Sequence, residues 1–283
     1  MIRITADADG LTITGSLNGT AIYLDNWAIG YLAEGDLARR KRFIAALQTG
    51  RADLLFSVTN AAELCGPQGQ SAEVVSQFLD EIGPRWVPVE LSPIDVINRE
   101  LAPRAGVTPC FSERFTKAFI ENVLSEHEPG SIADMSSDFF RLGAVLKWVG
   151  PQRESLRNSS ANFDSMMRSK MAEVVYKAKH TPGWLDLRFP NVPFDPFRPA
   201  FFVFQNLLRI LANEGGAIKK GDGMDFCHAV IASAYGSIAT LDKRWKRRVE
   251  VLPQPNRLAR VYGPSELDQM IDDLENWLVH TAA

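Results

Sequence analysis

Two short, mostly apolar runs, each closed by an aspartate, constrain the fold of this chain more than any other feature. The run "AIYLD" ends at Asp25 and the run "SIATLD" ends at Asp242. The first run shows no alternation of polar and apolar residues, which is typical of a strand buried on both faces of a parallel sheet. Because ligand sites in such sheets lie at the carboxyl ends of the strands, we expect both aspartates on the same rim.

The segments after Asp25 alternate between helix and strand patterns. A helix should extend to about residue 48, a second buried strand should occupy residues 54–56, and the polar residues after it mark a helix start that "CGP" cuts short. A helix at residues 72–82, a short strand in "RWVPVEL" near a sheet edge and a helix in "SPIDVINREL" follow. This order predicts an α/β fold.

The same pattern returns after Gly221, and a helical region lies before it. A helix at residues 225–234, the strand "SIATL", a strand near "RVEVLP" and an amphipathic helix at residues 265–278 complete the α/β part. Residues 102–213 show helical periodicity and linkers rich in proline and glycine, so we interpret them as a mostly α-helical insertion. The predicted division is a peripheral β-hairpin (1–18), the α/β domain in two parts (19–101 and 214–283) and the insertion (102–213) between them.

Composition excludes several classes of protein. The 283 residues are 46% hydrophobic and carry a net charge of −3, so we expect a buried core and not a strongly basic nucleic-acid-binding domain. Three widely spaced cysteines without a CxxC pair argue against a disulfide framework or a structural zinc site. Because the chain has no signal sequence and no apolar stretch of membrane-spanning length, we expect a soluble protein of the cytoplasm.

Four acidic residues are predicted to converge on one edge of the sheet. Asp25 and Asp242 follow strands, while Asp225 and Glu63 lie in the first turns of predicted helices. Carboxylates held close together repel one another unless a cation lies among them, and oxygen ligands on an open rim suit Mg²⁺ or Mn²⁺. Such an ion polarises a phosphoryl oxygen and activates bound water, which predicts phosphodiester hydrolysis without a protein nucleophile.

Each acid also has a purely structural interpretation. Asp25 and Asp242 could cap the helices that follow them, and Asp225 could complement a helix dipole. Asn60 and Glu63 have the spacing of a capping box. A metal centre is favoured only because all four acids are expected at the same edge of the sheet.

Three segments that contain these acids resemble a known family. The segments "IYLDNWAI", "LLFSVTNAAEL" and "DFCHAVIASAYGSIATLDKRW" look like the acidic motifs of PIN domains, which include metal-dependent ribonucleases such as the toxins of toxin–antitoxin pairs. The resemblance covers about residues 19–100 and 214–262. It implies a PIN-like parallel sheet flanked by helices, and an endoribonuclease whose catalytic and metal-binding residues are Asp25, Glu63, Asp225 and Asp242.

Neighbouring residues extend the resemblance, with two departures. Thr240 matches a small hydroxylated residue that often precedes the last acid, and His228 matches the aspartate plus histidine pattern of many members. PIN domains are usually much shorter than this chain, so the insertion is unusual. Many members also carry a further acid after the last one, where this chain has Lys243, Arg244 and Trp245.

Four polar residues are expected to support the acids. Asn26, Asn60, Thr240 and His228 are predicted to orient metal ligands or bound water from the second layer around the metal. Helix capping explains the asparagines equally well, and we interpret His228 first as a packed residue. Asp222 lies between two glycines and is interpreted as a turn residue. Asp225, three residues later, is therefore the candidate metal ligand at the start of this helix.

A basic run directly after the last acid is the candidate nucleic-acid-binding surface. Its side chains are Lys243, Arg244, Trp245, Lys246 and Arg247. The cations could contact the phosphates beside a scissile bond, and the indole could stack on an unpaired base. A solvated charged turn is the alternative.

These features lead to three functional hypotheses. The first is a metal-dependent nuclease that acts on RNA rather than DNA, with an antitoxin-like protein as a further partner and homo-oligomerisation left open. The second is a PIN-like scaffold of weak or no activity that binds a protein or nucleic acid through the helical insertion. The third is a phosphatase, for which the chain lacks a Gly-rich phosphate loop of the usual type.

Overall fold

The described strands belong to two sheets. A computed structural model describes residues 2–7, 10–17, 19–65, 70–125, 141–253 and 255–280. Two strands form an antiparallel sheet and five form a parallel one. In chain order they are β1 (Ile2–Asp7), β2 (Gly10–Gly15), β3 (Thr20–Tyr23), β4 (Ala52–Phe56), β5 (Trp86–Pro88), β6 (Ile238–Thr240) and β7 (Arg260–Tyr262).

The same residues contain thirteen α-helices and two short 3-10 turns, at Gly150–Gln152 and Pro255–Arg257. None of these helices is long and apolar enough to cross a membrane. The helices are α1 (Asn26–Glu34), α2 (Leu37–Gln48), α3 (Val58–Leu64), α4 (Gln70–Ile82), α5 (Pro93–Leu101), α6 (Glu113–Ser125), α7 (Leu142–Val149), α8 (Arg153–His180), α9 (Trp184–Arg188), α10 (Pro199–Glu214), α11 (Asp222–Tyr235), α12 (Lys243–Glu250) and α13 (Leu267–His280).

The parallel sheet has the strand order β5-β4-β3-β6-β7. From the central strand β3 the chain builds β4 and β5 on one side, and later β6 and β7 on the other. The order therefore reverses between β3 and β6, where Tyr23 pairs with Ala239. Ligands of open α/β sheets bind at such a reversal, beyond the carboxyl ends of the strands. The predicted α/β class is confirmed, and β5 lies at a sheet edge, as Pro88 indicated.

Helices cover both faces of the parallel sheet. Ile22 and Leu54 belong to one hydrophobic cluster, and Tyr23 and Leu55 belong to the other, because successive side chains of a strand point to opposite faces. The region predicted as an insertion supplies α6 and α7 to the first cluster, and α8 and α10 to the second. Its described part contains helices and no strand, while residues 126–140 lie outside the described ranges. Its status as a separate domain stays a prediction.

The predicted hairpin forms a small sheet of its own. Strands β1 and β2 pair in antiparallel register, with Ile2 opposite Gly15. A side chain at Gly15 would overlap the ring of the buried Phe111, so only glycine permits this close approach. Residues 8 and 9, between the two strands, lie outside the described residues.

Two predictions of secondary structure are wrong. The helix after the first strand is divided, because Gly35 ends α1 and Asp36 begins α2 by accepting the Ala38 N–H at 2.7 Å. The strand expected near "RVEVLP" is the end of α12, whose buried Trp245 and Val249 lie four residues apart on one helix face.

A buried carboxylate joins α5 to α10. Glu100, near the end of α5, is 3% exposed and accepts the N–H groups of Ala200 at 2.7 Å and Phe201 at 2.9 Å. It also accepts the Tyr235 hydroxyl of α11 at 2.7 Å. Glu100 therefore caps α10 from a different helix and links three elements.

We expect Glu100→Ala to lower the free energy of unfolding by about 2–4 kcal/mol, because one buried and two partly buried donors lose their acceptor. Urea denaturation followed by circular dichroism measures the change. Asp95→Ala, an exposed position on the same helix, is the control and should change stability by about 0.5 kcal/mol or less. Equal effects of the two substitutions would contradict the capping role.

Candidate metal centre at the ends of the central strands

The central strands deliver two aspartates to one rim. Asp25 comes two residues after β3 and Asp242 two residues after β6. Each also caps the next helix: Asp25 accepts the Asn26 N–H at 2.7 Å, and Asp242 accepts the Trp245 N–H at 2.8 Å. The Asp25 N–H donates to Oγ1 of the buried Thr240 at 2.8 Å. Each aspartate therefore caps a helix and also lies at the end of a strand. The capping hydrogen bond fixes its carboxylate at the rim.

A third aspartate, Asp225, lies in the first turn of α11. This turn is capped from α8, where Asp164 accepts the N–H groups of Gly223 at 3.0 Å and Met224 at 3.2 Å. Arg168, one turn further along α8, donates to the other oxygen of Asp164 at 2.7 Å. Sequence reasoning missed Asp164, whose one signal was its spacing of four residues from Arg168.

Two of the three aspartates, Asp25 and Asp225, have raised pKa values. Burial, opposed by the Asn26 hydrogen bond and reinforced by the charge of Asp242, raises the pKa of Asp25 to about 6. Burial, reinforced by the charges of Asp242 and Asp25 and opposed by Arg244, raises the pKa of Asp225 to about 7. The structure thus brings Asp25, Asp225 and Asp242 together as like charges in one partly buried place.

Glu63, the fourth predicted acid, is held differently. Helix α3 begins directly after Ser57, which forms the capping box with Asn60, so Glu63 lies in the last turn and the predicted first-turn position is wrong. Glu63 is exposed and accepts the side-chain amide of Asn26. Asn60 donates to Oδ1 of Asn26 at 2.9 Å. Asn26, which directly follows Asp25, therefore links Glu63 to Asn60.

A buried pair lies beside these residues. The Tyr23 hydroxyl is hydrogen-bonded to Nδ1 of His228. Burial raises the pKa of Tyr23, and the charges of Asp25 and Glu63 add to that effect. Burial lowers the pKa of His228, so its imidazole is neutral at neutral pH. His228 is thus the packed residue of the first interpretation, and Tyr23 is a neighbour of the acids that the sequence did not indicate.

Arg244 adds a positive charge to the rim. Its guanidinium pairs with the buried Asp222 and lies 3.5 Å from a carboxylate oxygen of Asp225. Asp222 also accepts the Lys219 N–H at 2.6 Å. The interpretation of Asp222 as a turn residue is wrong, because it is the first residue of α11.

The rest of the basic run divides into buried, paired and exposed side chains. Trp245 is 1% exposed and packs on Phe226, with the Arg248 guanidinium 4.7 Å from its ring centre, so the predicted base-stacking surface is wrong. Lys246 pairs with two glutamates, Glu250 and Glu266. Lys243 and Arg247 are exposed and have no ion pair among the described residues. Of the five residues of the run, they are the two that are exposed to solvent.

The oxygen donors at the rim fit Mg²⁺ or Mn²⁺ in their chemistry. Asp25, Asp225 and Asp242 offer carboxylates, and their charge repulsion is what a divalent cation relieves. Their spacing is open: in the described part of the chain, no three Asp, Glu, His or Cys side chains form a group close enough to hold a metal ion. A magnesium ion takes one or two carboxylates and keeps several waters, so an open arrangement suits it.

Comparisons of the chain with family models, with curated proteins and with solved structures found no match. The resemblance to PIN domains therefore stays a prediction from the three sequence segments.

The raised pKa values predict how stability depends on pH. Asp25 and Asp225 titrate near 6 and 7 in the folded chain, against an ordinary value of 3.8. Between about pH 4 and 7 the folded state holds protons that the unfolded state has released, so stability falls as pH rises through this window.

We expect Asp25→Asn to raise the melting temperature at pH 8 in EDTA by roughly 2–6 °C, because the amide keeps the helix cap without the charge. At pH 4 the substitution should have little effect. Thermal melts by circular dichroism test this, with the exposed Asp268→Asn as the matched control. A lower melting temperature for Asp25→Asn at pH 8 would count against charge repulsion at this rim.

Proposed function

We propose that the protein is a divalent-metal-dependent nuclease that hydrolyses phosphodiester bonds, with RNA as its substrate. One observation carries the proposal: Asp25, Asp225 and Asp242, from three separate segments, lie near enough to raise pKa values at the carboxyl ends of β3 and β6. This is the place where open parallel sheets bind ligands. A PIN-like identity of the fold, supported by the order of the sequence motifs, is part of the same proposal.

The assigned cofactor is Mg²⁺ or Mn²⁺, held by Asp25 and Asp242. When bound, such an ion polarises a phosphoryl oxygen and lowers the pKa of a bound water. One oxygen of Asp25 and one of Asp242 are occupied as helix caps, which orients the carboxylates towards the rim. The Thr240 hydroxyl fixes the backbone of Asp25.

The remaining side chains at the rim divide the other tasks. A carboxylate with a pKa near neutrality suits proton acceptance from an attacking water, so we assign that role to Asp225. Asn26, itself held by Asn60, fixes Glu63 at the edge, where it orients water. Lys243 and Arg247 contact substrate phosphates beside the reacting group. An antitoxin-like partner and a homo-oligomer stay predictions.

The contact of Arg244 with Asp225 favours a second candidate function. A guanidinium that neutralises one of the acids is what a scaffold without strong catalysis would retain. In that case the protein binds a protein or nucleic acid partner through its helical region. Partner binding that survives Asp25→Asn, with no metal-dependent cleavage of any nucleic acid, would favour the scaffold over the nuclease.

The nuclease proposal predicts cleavage of single-stranded RNA in Mg²⁺ or Mn²⁺ that stops in EDTA. Asp25→Asn and Asp242→Asn should each lower the cleavage rate by about 10²-fold or more, since each removes a metal-binding charge. A fluorescent RNA assay measures the rates. Asp268→Asn, which changes an exposed aspartate paired with Arg39, should cleave at the wild-type rate. Cleavage by Asp25→Asn at the wild-type rate would contradict the proposal.

The exposed cations predict the salt dependence of RNA binding. In an Asp25→Asn background, the double substitution Lys243→Ala and Arg247→Ala should weaken binding and reduce the slope of log K against log salt by about 1–2. Fluorescence anisotropy across a salt series gives both quantities. The control removes two exposed lysines of α8, Lys170 and Lys179, and should leave the slope unchanged. Equal loss in both variants would show that only net charge matters.

A further inference from the structure

A cavity of about 620 Å³ lies between β2, the end of α5 and the start of α6. None of the four predicted acids lines it, so it is separate from the candidate metal centre. One part of its lining is apolar and consists of Ile13, Ala102, Val107 and Pro109. Pockets of this volume that combine an apolar surface with a few polar groups are the ordinary binding places of small molecules.

Cations make up most of the charged lining. Arg99, Arg104, Arg114 and Lys117 line the cavity together with one acid, Glu113. The whole chain has 34 acidic and 31 basic residues, so this local excess of cations runs against the average charge of the protein. The lining therefore favours a ligand that carries negative charge.

Two of the arginines are held in place by the protein. One nitrogen of Arg99 donates to two backbone carbonyl oxygens of the loop before α6, at 3.1 and 2.6 Å, and the other terminal nitrogen lies 3.7 Å from Glu90. Arg104 pairs with Glu113. Side chains fixed before a ligand arrives lose less conformational freedom when it binds.

The other two cations lie on α6. Arg114 and Lys117 are three residues apart, so they share a face of the helix, and both are exposed. Arg114 has no ion pair among the described residues, and Lys117 lies 3.8 Å from Glu121, a distance at which exposed charges contribute little. When Glu90, Glu113 and Glu121 are all counted against the four cations, one positive charge remains. An anionic ligand can therefore bind here without displacing an ion pair.

We propose that this cavity binds a small organic phosphate, with the phosphoryl group on Arg114 and Lys117 and an apolar or ring-shaped body on Ile13 and Val107. Phosphate oxygens match the planar fork of arginine and accept from several donors at once. The body removes the apolar lining from water, which a bare inorganic anion cannot do. This site is independent of the proposed nuclease activity.

Titration of the full chain with ADP, in EDTA and at low salt, tests the proposal by isothermal titration calorimetry. We expect one site per chain with a Kd of about 0.1 mM or tighter. Adenosine lacks the charge and pyrophosphate lacks the body, so each should bind at least about tenfold more weakly.

A double variant locates the site. Arg114→Ala with Lys117→Ala should weaken ADP binding at least about tenfold, because the two exposed cations that face the phosphate are lost. Lys170→Ala with Lys179→Ala removes the same charge from exposed positions of α8 and should leave the affinity unchanged. Circular dichroism checks that both variants are folded.

Absence of saturable ADP binding to the wild type would overturn the proposal, and this titration decides even where the first variant does not fold. Equal weakening in both variants would assign the effect to net charge and overturn it too. Pyrophosphate that binds as tightly as ADP would overturn the role of the apolar lining. Each of these results leaves the nuclease proposal unaffected, since the titrations contain neither free metal nor nucleic acid.

Discussion

Partial burial of Asp25 and Asp225 beside Asp242 is the constraint on which the rest of this structure depends. Burial, reinforced by the neighbouring charges, raises the pKa values of Asp25 and Asp225, and these shifts express the cost of ionising the two side chains here. The chain accepts it because each side chain sits at the start of a helix, where backbone N–H groups favour negative charge. In the proposed function, a bound cation offsets this cost.

The helical region contributes to the site through the positions it imposes. Asp164 of α8 caps α11, and Glu100 of α5 caps α10. Both contacts join a carboxylate of one helix to the N-terminus of another, and both are buried. They fix the orientation of α11 against its neighbours, and therefore the position of Asp225. In this respect the described part of residues 102–213 belongs to the scaffold around the acids.

Local signals made much of this arrangement predictable. The apolar run before Asp25 and the placement of Asp242 after "SIATL" indicated parallel strands. Such signals are local, because a few adjacent residues determine a buried strand or a helix start. Residues far apart in sequence were not predictable. Asp164 meets its partners 59 and 60 positions away, and nothing in its surroundings distinguishes it from a solvated helix residue.

The basic run shows that a prediction of exposure from adjacent residues alone can be wrong. Four of the five residues at positions 243–247 are cations, which favours an exposed segment. Once Asp242 begins a helix, however, the indole of Trp245 and the side chain of Val249 fall on its inner face. Burial of the indole then decides which cations face solvent, and Arg244 turns towards the acids instead of a substrate.

Direct observation of the ion tests the central claim most simply. Crystals grown with Mn²⁺ and measured at the manganese absorption edge should show an anomalous peak in contact with carboxylate oxygens of Asp25 and Asp242. Crystals saturated with Mn²⁺ that show no peak at this rim, or show the metal bound only elsewhere on the chain, would contradict the account.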